Sequence, residues 1–145
     1  MLRIREFSPT DLKIVRSISQ RALNERYSRD FFLRIYRWWR GGFLTAEMSG
    51  VIIGALAATK TSATTARILI LVVREGLRSR GIGTALMNDF INRIASEGLN
   101  RVELEVRKSN LGARRFYQRL GFETIDLIPG FYTDGEDAVK MVKVL

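Results

Sequence analysis

The spacing of apolar residues predicts a strand and two helices in the first third of the chain. Apolar and basic side chains alternate over residues 2–5, which is the period of a strand with one buried face, and the predicted strand covers residues 2–7. Residues 8–11, Ser-Pro-Thr-Asp, are typical of a helix start, and the apolar period then lengthens to three or four over about 14 residues. An aromatic stripe over residues 31–39 predicts a second helix that ends at Gly41 and Gly42. We interpret these aromatic residues as part of the core or of a cleft wall, in preference to a cofactor-binding motif.

The middle of the chain predicts three antiparallel strands followed by a helix. Residues 43–48 and 51–59 flank a Ser-Gly pair, as in a hairpin, and a polar loop leads from there to a third strand that ends at Val73. A glycine-containing loop comes next. It opens a helix whose apolar face continues to Ile94 and which stops at Gly98.

The last third predicts a strand, a helix and two further strands. Residues 101–107 alternate apolar and charged side chains, and Ser109 and Asn110 can cap a helix that Gly121 ends. Two strands, at about residues 123–128 and 138–144, flank a turn-rich loop. The whole order predicts an α+β domain with a mixed, mostly antiparallel sheet flanked by helices.

Composition narrows the classes of function. The 145 residues, 46% of them hydrophobic, suit one globular domain spanning residues 1–145. We expect neither a membrane span nor a signal peptide, and therefore a cytoplasmic protein. The chain has no Cys and no His, which excludes disulfides, a thiol nucleophile, a Ser-His-Asp triad and zinc sites built on those residues. Proton transfer falls to Glu, Asp, Tyr, Lys or water, and we expect no metal.

The formal charge of +9 predicts attraction to polyanions. Nucleic acid, a ribosome and a phosphorylated cofactor all fit this charge, and charge alone does not choose among them. The basic residues are spread from Arg3 to Lys143, which also fits an ordinary solvated surface. We therefore predict no specific nucleic-acid site.

The segment at residues 78–84, Arg-Ser-Arg-Gly-Ile-Gly-Thr, predicts a pyrophosphate site. Gly81 and Gly83 let the main chain approach an anion, and the start of the following helix supplies free N–H groups and a positive dipole end. A nucleoside-triphosphate loop is excluded because Ile82 stands where that loop needs Lys. A dinucleotide fingerprint lacks its third glycine, since Leu86 occupies that position, and it remains a weaker alternative beside a plain helix start.

Three motifs in order resemble the GNAT superfamily of acetyl-CoA-dependent N-acetyltransferases. They are RxxGxG at residues 78–83, Leu-Glu-Val-Arg-Lys-Ser-Asn at 104–110, and Ala-Arg-Arg-Phe-Tyr-Gln-Arg-Leu-Gly-Phe at 113–122. Within that superfamily the chain is most similar to protein N-terminal acetyltransferases, including the ribosomal-protein alanine type and the archaeal and eukaryotic catalytic subunits. The Phe-Tyr-Thr-Asp-Gly-Glu-Asp-Ala tail at 131–138 and Leu-Asn-Glu-Arg-Tyr at 23–27 support this. Asn24 replaces a proline of the latter motif, and Phe131 replaces a tyrosine of the former.

The resemblance implies a site for acetyl-CoA. Main-chain groups of the third antiparallel strand would pair with pantetheine, and residues of the glycine loop would hold the pyrophosphate. The implied cofactor-binding residues are Leu71, Val72, Val73, Arg78, Ser79, Arg80, Gly81, Ile82, Gly83, Thr84, Asn110 and Tyr117.

The resemblance also implies catalytic and substrate-binding residues. Tyr117 matches the general acid for the leaving thiolate, Glu105 the general base, and Glu25 a carboxylate that orients the substrate amine or its water. The implied substrate-binding residues are Glu25, Tyr27, Phe131 and Tyr132. From the residues alone, Glu105 also fits a solvated strand position, Tyr117 a core position and Asn110 a simple helix cap.

Acid–base chemistry favours an α-amine as acceptor. Keeping a lysine neutral at pH 7 costs about 3.7 kcal/mol more than keeping an α-amine neutral, because their reference pKa values are near 10.4 and 7.7. No residue suits a covalent acetyl-enzyme, which favours direct attack in a ternary complex. The expected partners are protein N-termini, with ribosome association possible. Alternatives are a GNAT enzyme acting on lysine or a small-molecule amine, and a basic ribosome- or RNA-binding module with a degenerate cofactor loop.

Overall fold

The computed structural model describes residues 1–23 and 25–145, which form a seven-stranded sheet flanked by helices. The strands and α-helices, in chain order, are β1 (Leu2–Glu6), α1 (Leu12–Leu23), α2 (Arg29–Trp38), β2 (Phe43–Met48), β3 (Val51–Lys60), β4 (Thr65–Val73), α3 (Ile82–Ser96), β5 (Arg101–Arg107), α4 (Leu111–Arg119), β6 (Glu123–Ile128) and β7 (Ala138–Val144). Short 3-10 turns at Pro9–Asp11 and Arg40–Gly42 precede α1 and β2. The predicted α+β class and element order are confirmed. Asn24, part of one motif above, lies outside the described residues.

The strands follow the order β1-β2-β3-β4-β5-β7-β6 across the sheet. All neighbours are antiparallel except β4 and β5, which are parallel. The connection between these two strands is α3, as expected for a parallel pair. The predicted Ser-Gly hairpin turn joins β2 to β3, and both of its residues have positive φ, 52° at Ser49 and 79° at Gly50, as in a type I′ turn.

Two apolar cores lie on opposite faces of the sheet. On one face α3 packs through Leu86, Phe90 and Ile94, and the partly buried Tyr117 of α4 packs against the same cluster. On the other face the first two helices bury mainly Val15, Ile18, Phe32 and Ile35 against β2, β3 and β4. These sets follow the apolar stripes of the sequence.

The second helix ends earlier than its aromatic stripe predicts. Trp39 leaves the helical conformation at φ −156° because its ring packs instead beside Phe90, with ring centroids 6.1 Å apart. The chain then turns over this ring at Gly42, where a Cβ would lie 2.4 Å from Trp39 Cε3. Trp39 therefore belongs to the core on the α3 face, and Gly42 is required by its close approach.

An ion pair joins the start of α1 to the edge strand. Arg5 Nη1 and Nη2 donate to the two Asp11 oxygens at 2.8 and 3.0 Å, and the Ser8 amide donates to Asp11 Oδ2 at 2.8 Å. Desolvation pulls the pKa of the Asp11 carboxyl upward, but the hydrogen bonds from Arg5 and Ser8 outweigh it and leave this pKa below its usual value. Asp11 is thus held ionised.

Strands β4 and β5 diverge after a few residues, and this opens the sheet. Their described pairing covers residues 65–67 of β4 with 101–103 of β5 and does not continue beyond. A β-bulge in β4 explains the divergence, since Ile70 and Ile68 pair with the adjacent Ala57 and Ala58 and leave Leu69 extra. A bulge bends its strand and increases its twist. Ile68 consequently packs in the core on the α3 face and Ile70 in the opposite core.

Candidate active site

The start of α3 has the geometry of an anion site. Gly81 is the N-cap residue at φ +81°, a left-handed conformation that favours glycine. The Ala85 amide donates to Gly81 O at 2.9 Å and makes the first helical hydrogen bond, so the three amides of residues 82–84 have no partner within the helix. Arg78 and Arg80 form no ion pair within the described residues. Free amides, a helix dipole and adjacent cations fit a diphosphate.

A cleft of about 900 Å³ connects this helix start to the free edge of β4. Its lining includes every residue predicted for cofactor binding except Arg80, namely Leu71, Val72, Val73, Arg78, Ser79, Gly81, Ile82, Gly83, Thr84, Asn110 and Tyr117. Arg80 is exposed to solvent and lies outside the lining. Ala22, Leu23, Leu77, Gly112, Ala113, Arg115, Phe116, Arg119 and Leu120 complete the cleft. We call it the donor cleft.

Gly83 is in close contact with α4 beneath the donor cleft. A Cβ at this position would lie 3.2 Å from Phe116 Cζ. The glycine lets the first turn of α3 approach α4 closely, so that both helices line the same cleft.

A second cavity of about 500 Å³ lies between the diverging strands, and we call it the acceptor cavity. It brings together all residues predicted for catalysis and substrate binding, namely Glu25, Tyr27, Glu105, Tyr117, Phe131 and Tyr132. Glu105 comes from β5, Glu25 and Tyr27 from the segment between α1 and α2, and Phe131 and Tyr132 from the loop between β6 and β7. The divergence of β4 from β5 thus makes room for a site that three distant parts of the sequence share.

Tyr117 stands where the two cavities meet. It lines both, together with Ala22, Leu23, Leu71, Asn110 and Ala113. Its ring is held by Phe116 and Phe122, with centroids 5.1 and 5.6 Å away. Burial, helped by the neighbouring Tyr132, raises the pKa of the Tyr117 phenol well above its usual value. The phenol therefore keeps its proton at neutral and mildly alkaline pH.

Asn110 also has a structural role. Its Oδ1 accepts from the Ala113 amide at 3.1 Å and caps α4. The same residue lines both cavities, so the cap and the cavity wall are one side chain.

Both candidate carboxylates lie beside an arginine. Glu105 is paired with Arg67 of β4, across the point where the strands separate. Glu25 is 3.5 Å from Arg107 of β5, measured from Oε1 to Nη2. Burial, followed by the charge and hydrogen bond of Glu25, raises the pKa of Tyr27 to about 12. The acceptor cavity thus holds two carboxylates and neutral phenols.

Arg107 connects the segments on either side of the acceptor cavity. Its Nη1 donates to Asp134 Oδ2 at 2.8 Å and to Glu136 Oε1 at 2.9 Å, and its guanidinium lies 4.1 Å from the Tyr132 ring centroid. Hydrogen bonds from Ser109 and Arg107 lower the pKa of Glu136. Through these contacts and Glu25, one side chain fixes the β6–β7 loop against the α1–α2 segment.

Arg67, Arg107, Asp134 and Glu136 were not among the predicted site residues. Arg67 precedes the apolar run of β4, and nothing local distinguishes it from a solvated strand residue. Arg107 carried a usable signal, because it continues the polar face of β5 two residues after Glu105. Asp134 and Glu136 can be identified as site residues only from the conformation of the β6–β7 loop, which brings them to Arg107.

Fold and site together define a transferase of the acyl-CoA-dependent class, because a helix start that fits a diphosphate lies beside a split sheet. The model of the acetyltransferase (GNAT) family matches residues 12–122, and the chain belongs to that family. It is therefore an acetyl-CoA-dependent N-acetyltransferase.

The chain is similar over nearly its whole length to archaeal proteins. It is 36% identical to an uncharacterized N-acetyltransferase of Methanocaldococcus jannaschii, covering 97% of this chain and 90% of the relative. It is 31% identical to the N-alpha-acetyltransferase of Sulfurisphaera tokodaii, covering 99% and 93% respectively.

Solved structures show the same fold. Ard1 from Thermoplasma volcanium superposes with a TM-score of 0.96 at 36% identity, covering 99% of this chain and 97% of that one. The ribosomal-protein-S18-alanine N-acetyltransferase from Escherichia coli superposes with a TM-score of 0.88 at 27% identity, covering 99% and 94%. The suspected similarity to protein N-terminal acetyltransferases is confirmed.

Two structural findings bear on membranes and metals. Among the helices of residues 1–23 and 25–145, none is long and apolar enough to cross a membrane. In the same described part of the chain, no group of three or more Asp or Glu side chains could hold a metal ion.

Proposed function

We propose that this enzyme acetylates the N-terminal α-amine of protein chains by direct attack in a ternary complex. The observation that carries the proposal is the meeting of the donor cleft and the acceptor cavity at Tyr117, inside the split between β4 and β5. A donor and an acceptor bound on the two sides of this junction are close enough to react without a covalent enzyme intermediate. The name of the Sulfurisphaera tokodaii relative, N-alpha-acetyltransferase, supports the same acceptor.

The donor cleft supplies binding and orientation. When bound, acetyl-CoA supplies the activated acetyl thioester. The amides of residues 82–84, with Arg78 and Ser79, would hold its diphosphate. The main chain of Leu71, Val72 and Val73 lies along the edge that β5 leaves free and would pair with the pantetheine amides.

The acceptor cavity supplies a base and an aromatic wall. Glu105, held at the strand divergence by Arg67, would take the proton of the amine through water, while Glu25 would orient the amine. An α-amine suits carboxylate bases because a good part of it is already neutral near pH 7.7. Tyr27, Phe131 and Tyr132 would enclose the first residues of the peptide.

Tyr117 would act as the general acid. Its phenol faces both cavities, and its raised pKa keeps it protonated. A proton donated here neutralises the thiolate as it leaves.

The substrate class suggests where the reaction takes place. The Escherichia coli structure is, by its name, a ribosomal-protein alanine N-acetyltransferase, so an exposed N-terminus of a ribosomal or newly made chain is a reasonable acceptor. We therefore propose that the reaction takes place in the cytoplasm, at or near the ribosome.

Matched peptides test the acceptor. One short peptide would carry a free α-amine and an internal lysine, and its partner would be identical except for a blocked N-terminus. We expect acetyl transfer to the first peptide, at the α-nitrogen by fragment mass spectrometry, and none to the second. Equal transfer to the blocked peptide, or faster transfer to small amines than to any peptide, would reject the proposal in favour of a lysine or small-molecule enzyme.

A further inference from the structure

The first two helices carry a large share of the positive charge of the chain. Residues 13–40 contain eight cations, Lys13, Arg16, Arg21, Arg26, Arg29, Arg34, Arg37 and Arg40, against only Glu25 and Asp30. Their net charge is 8 − 2 = +6, out of +9 for the whole chain. Although basic residues occur along the whole chain, the net positive charge is therefore concentrated in residues 13–40.

These cations are not neutralised within the protein. None of the eight forms an ion pair with a carboxylate in the described residues, whereas Arg3, Arg5, Arg67, Arg93, Arg101 and Arg107 all do. All eight are exposed to solvent. A cluster of exposed, unneutralised cations attracts a polyanion and repels like charge.

Four of the cations surround one groove. Lys13, Arg16, Arg26 and Arg29 line a depression of about 700 Å³, which we call the basic groove. Its other lining residues carry no acidic group, and they include Tyr27, which also lines the acceptor cavity. The basic groove is therefore a separate surface that begins beside the catalytic site.

The exposed face of α2 adds an aromatic side chain to this charge. Trp38 is 77% exposed and lines a surface depression together with Arg34, Arg37 and one acidic residue, Asp30. A large exposed indole has no packing role here, since the adjacent Trp39 fills the core position. An indole between guanidinium groups offers a stacking surface for a base together with charge for phosphate.

Seven of the eight cations are arginine, a residue well suited to binding phosphate. The guanidinium fork binds phosphate oxygens in pairs and stacks on flat rings, which an ammonium group does not do. We propose that the basic groove and the Trp38 face form a docking surface for RNA, which binds its phosphate backbone without sequence preference. The proposal does not depend on which amine the enzyme acetylates.

Fluorescence anisotropy with a labelled RNA hairpin tests the surface. The groove variant, Arg16→Gln with Arg29→Gln, removes two cations of the basic groove. The control, Arg3→Gln with Arg93→Gln, removes two cations elsewhere and changes the net charge equally. At 50 mM salt we expect the groove variant to bind about tenfold more weakly than wild type, and its log Kd to depend less steeply on log salt by about 1.5 to 2. The control should stay within about twofold of wild type.

Fluorescence of the exposed indole gives a second readout. RNA should quench Trp emission in the wild type, and Trp38→Phe should remove most of that quenching, because the remaining Trp39 is buried. Peptide acetylation and melting temperature, measured in parallel, should be unchanged in the groove variant.

Three results would overturn the proposal. The first is equal weakening by the groove and control variants, which would show that net charge alone attracts RNA. The second is no RNA binding at 50 mM salt. The third is binding to phosphatidylserine vesicles with no binding to RNA, which would assign the surface to a membrane.

Discussion

Replacing Tyr117 with Phe removes one oxygen atom from the junction of the two cavities. The ring contacts with Phe116 and Phe122 involve the ring face and edge, so they persist in the variant. No side-chain hydrogen bond among the described residues uses the Tyr117 hydroxyl, so the fold loses nothing measurable from its removal. A kinetic effect of this substitution therefore reports on chemistry.

The size of the effect follows from the leaving group. General acid catalysis contributes about 10²- to 10⁴-fold in typical cases. A thiol with a pKa near 8.5 leaves as thiolate with little help at pH 7, which places the expected loss at or below the low end of this range. We predict a kcat about 10- to 100-fold lower than wild type, equal to about 1.4 to 2.7 kcal/mol of transition-state stabilisation.

The assay compares turnover with cofactor affinity. Thiol release with a free-amine peptide gives kcat, and calorimetry gives the Kd for acetyl-CoA, which we expect to change less than threefold. The matched control is Tyr36→Phe, which removes the same atom from an α2 residue that packs on Phe7, away from both cavities. Turnover of Tyr117→Phe within twofold of wild type would return Tyr117 to a purely structural role.

Three further substitutions test other parts of the structure. Arg107→Gln frees the β6–β7 loop from Glu25, and we expect the peptide KM to rise about tenfold with acetyl-CoA affinity unchanged; a selective fall in cofactor affinity would contradict this. Gly83→Val should weaken acetyl-CoA binding at least tenfold by calorimetry, because its side chain would press on Phe116; unchanged affinity would remove the diphosphate assignment. Asp11→Asn should destabilise the protein by about 1 to 3 kcal/mol at pH 7 in urea unfolding, because Arg5 loses its hydrogen bonds to a buried carboxylate and keeps only its pair with Glu47. Folding lowers the pKa of Asp11, so the contribution of this ion pair to the free energy of unfolding is complete above about pH 4 and is lost as the pH falls through the lowered pKa. A wild-type free energy of unfolding that stays constant down to pH 2 would contradict this role of Asp11.

The sequence predicted the elements well because their signals are local. Periodicity, caps and glycine turns located the helices and strands, and the loop before α3 was recognised from Gly81, Gly83 and the cations beside them. The sequence alone leaves open whether those glycines hold phosphate or merely start a helix, and the cleft beside them favours phosphate.

The divergence of β4 from β5 and the arginine contacts of the site depend on interactions between distant residues, which no local sequence pattern encodes. The bulge at Leu69 lies inside a continuous run of apolar residues, 68–73. Because every residue of this run is apolar, the sequence does not mark the position at which β4 turns away from β5. The pairing of Arg67 with Glu105 follows from that divergence. Arg107 contacts Glu136, about thirty residues later in the chain, and Glu25, about eighty residues earlier. These contacts form only when the loops fold together, so no local sequence pattern predicts them.

A crystal structure with CoA and a short free-amine peptide tests the central claim most directly. We predict the diphosphate on the amides of residues 82–84, pantetheine along the free edge of β4, and the peptide nitrogen beside Tyr117, within one water of Glu105. A peptide bound outside the split between β4 and β5, or a diphosphate held away from the start of α3, would contradict the account.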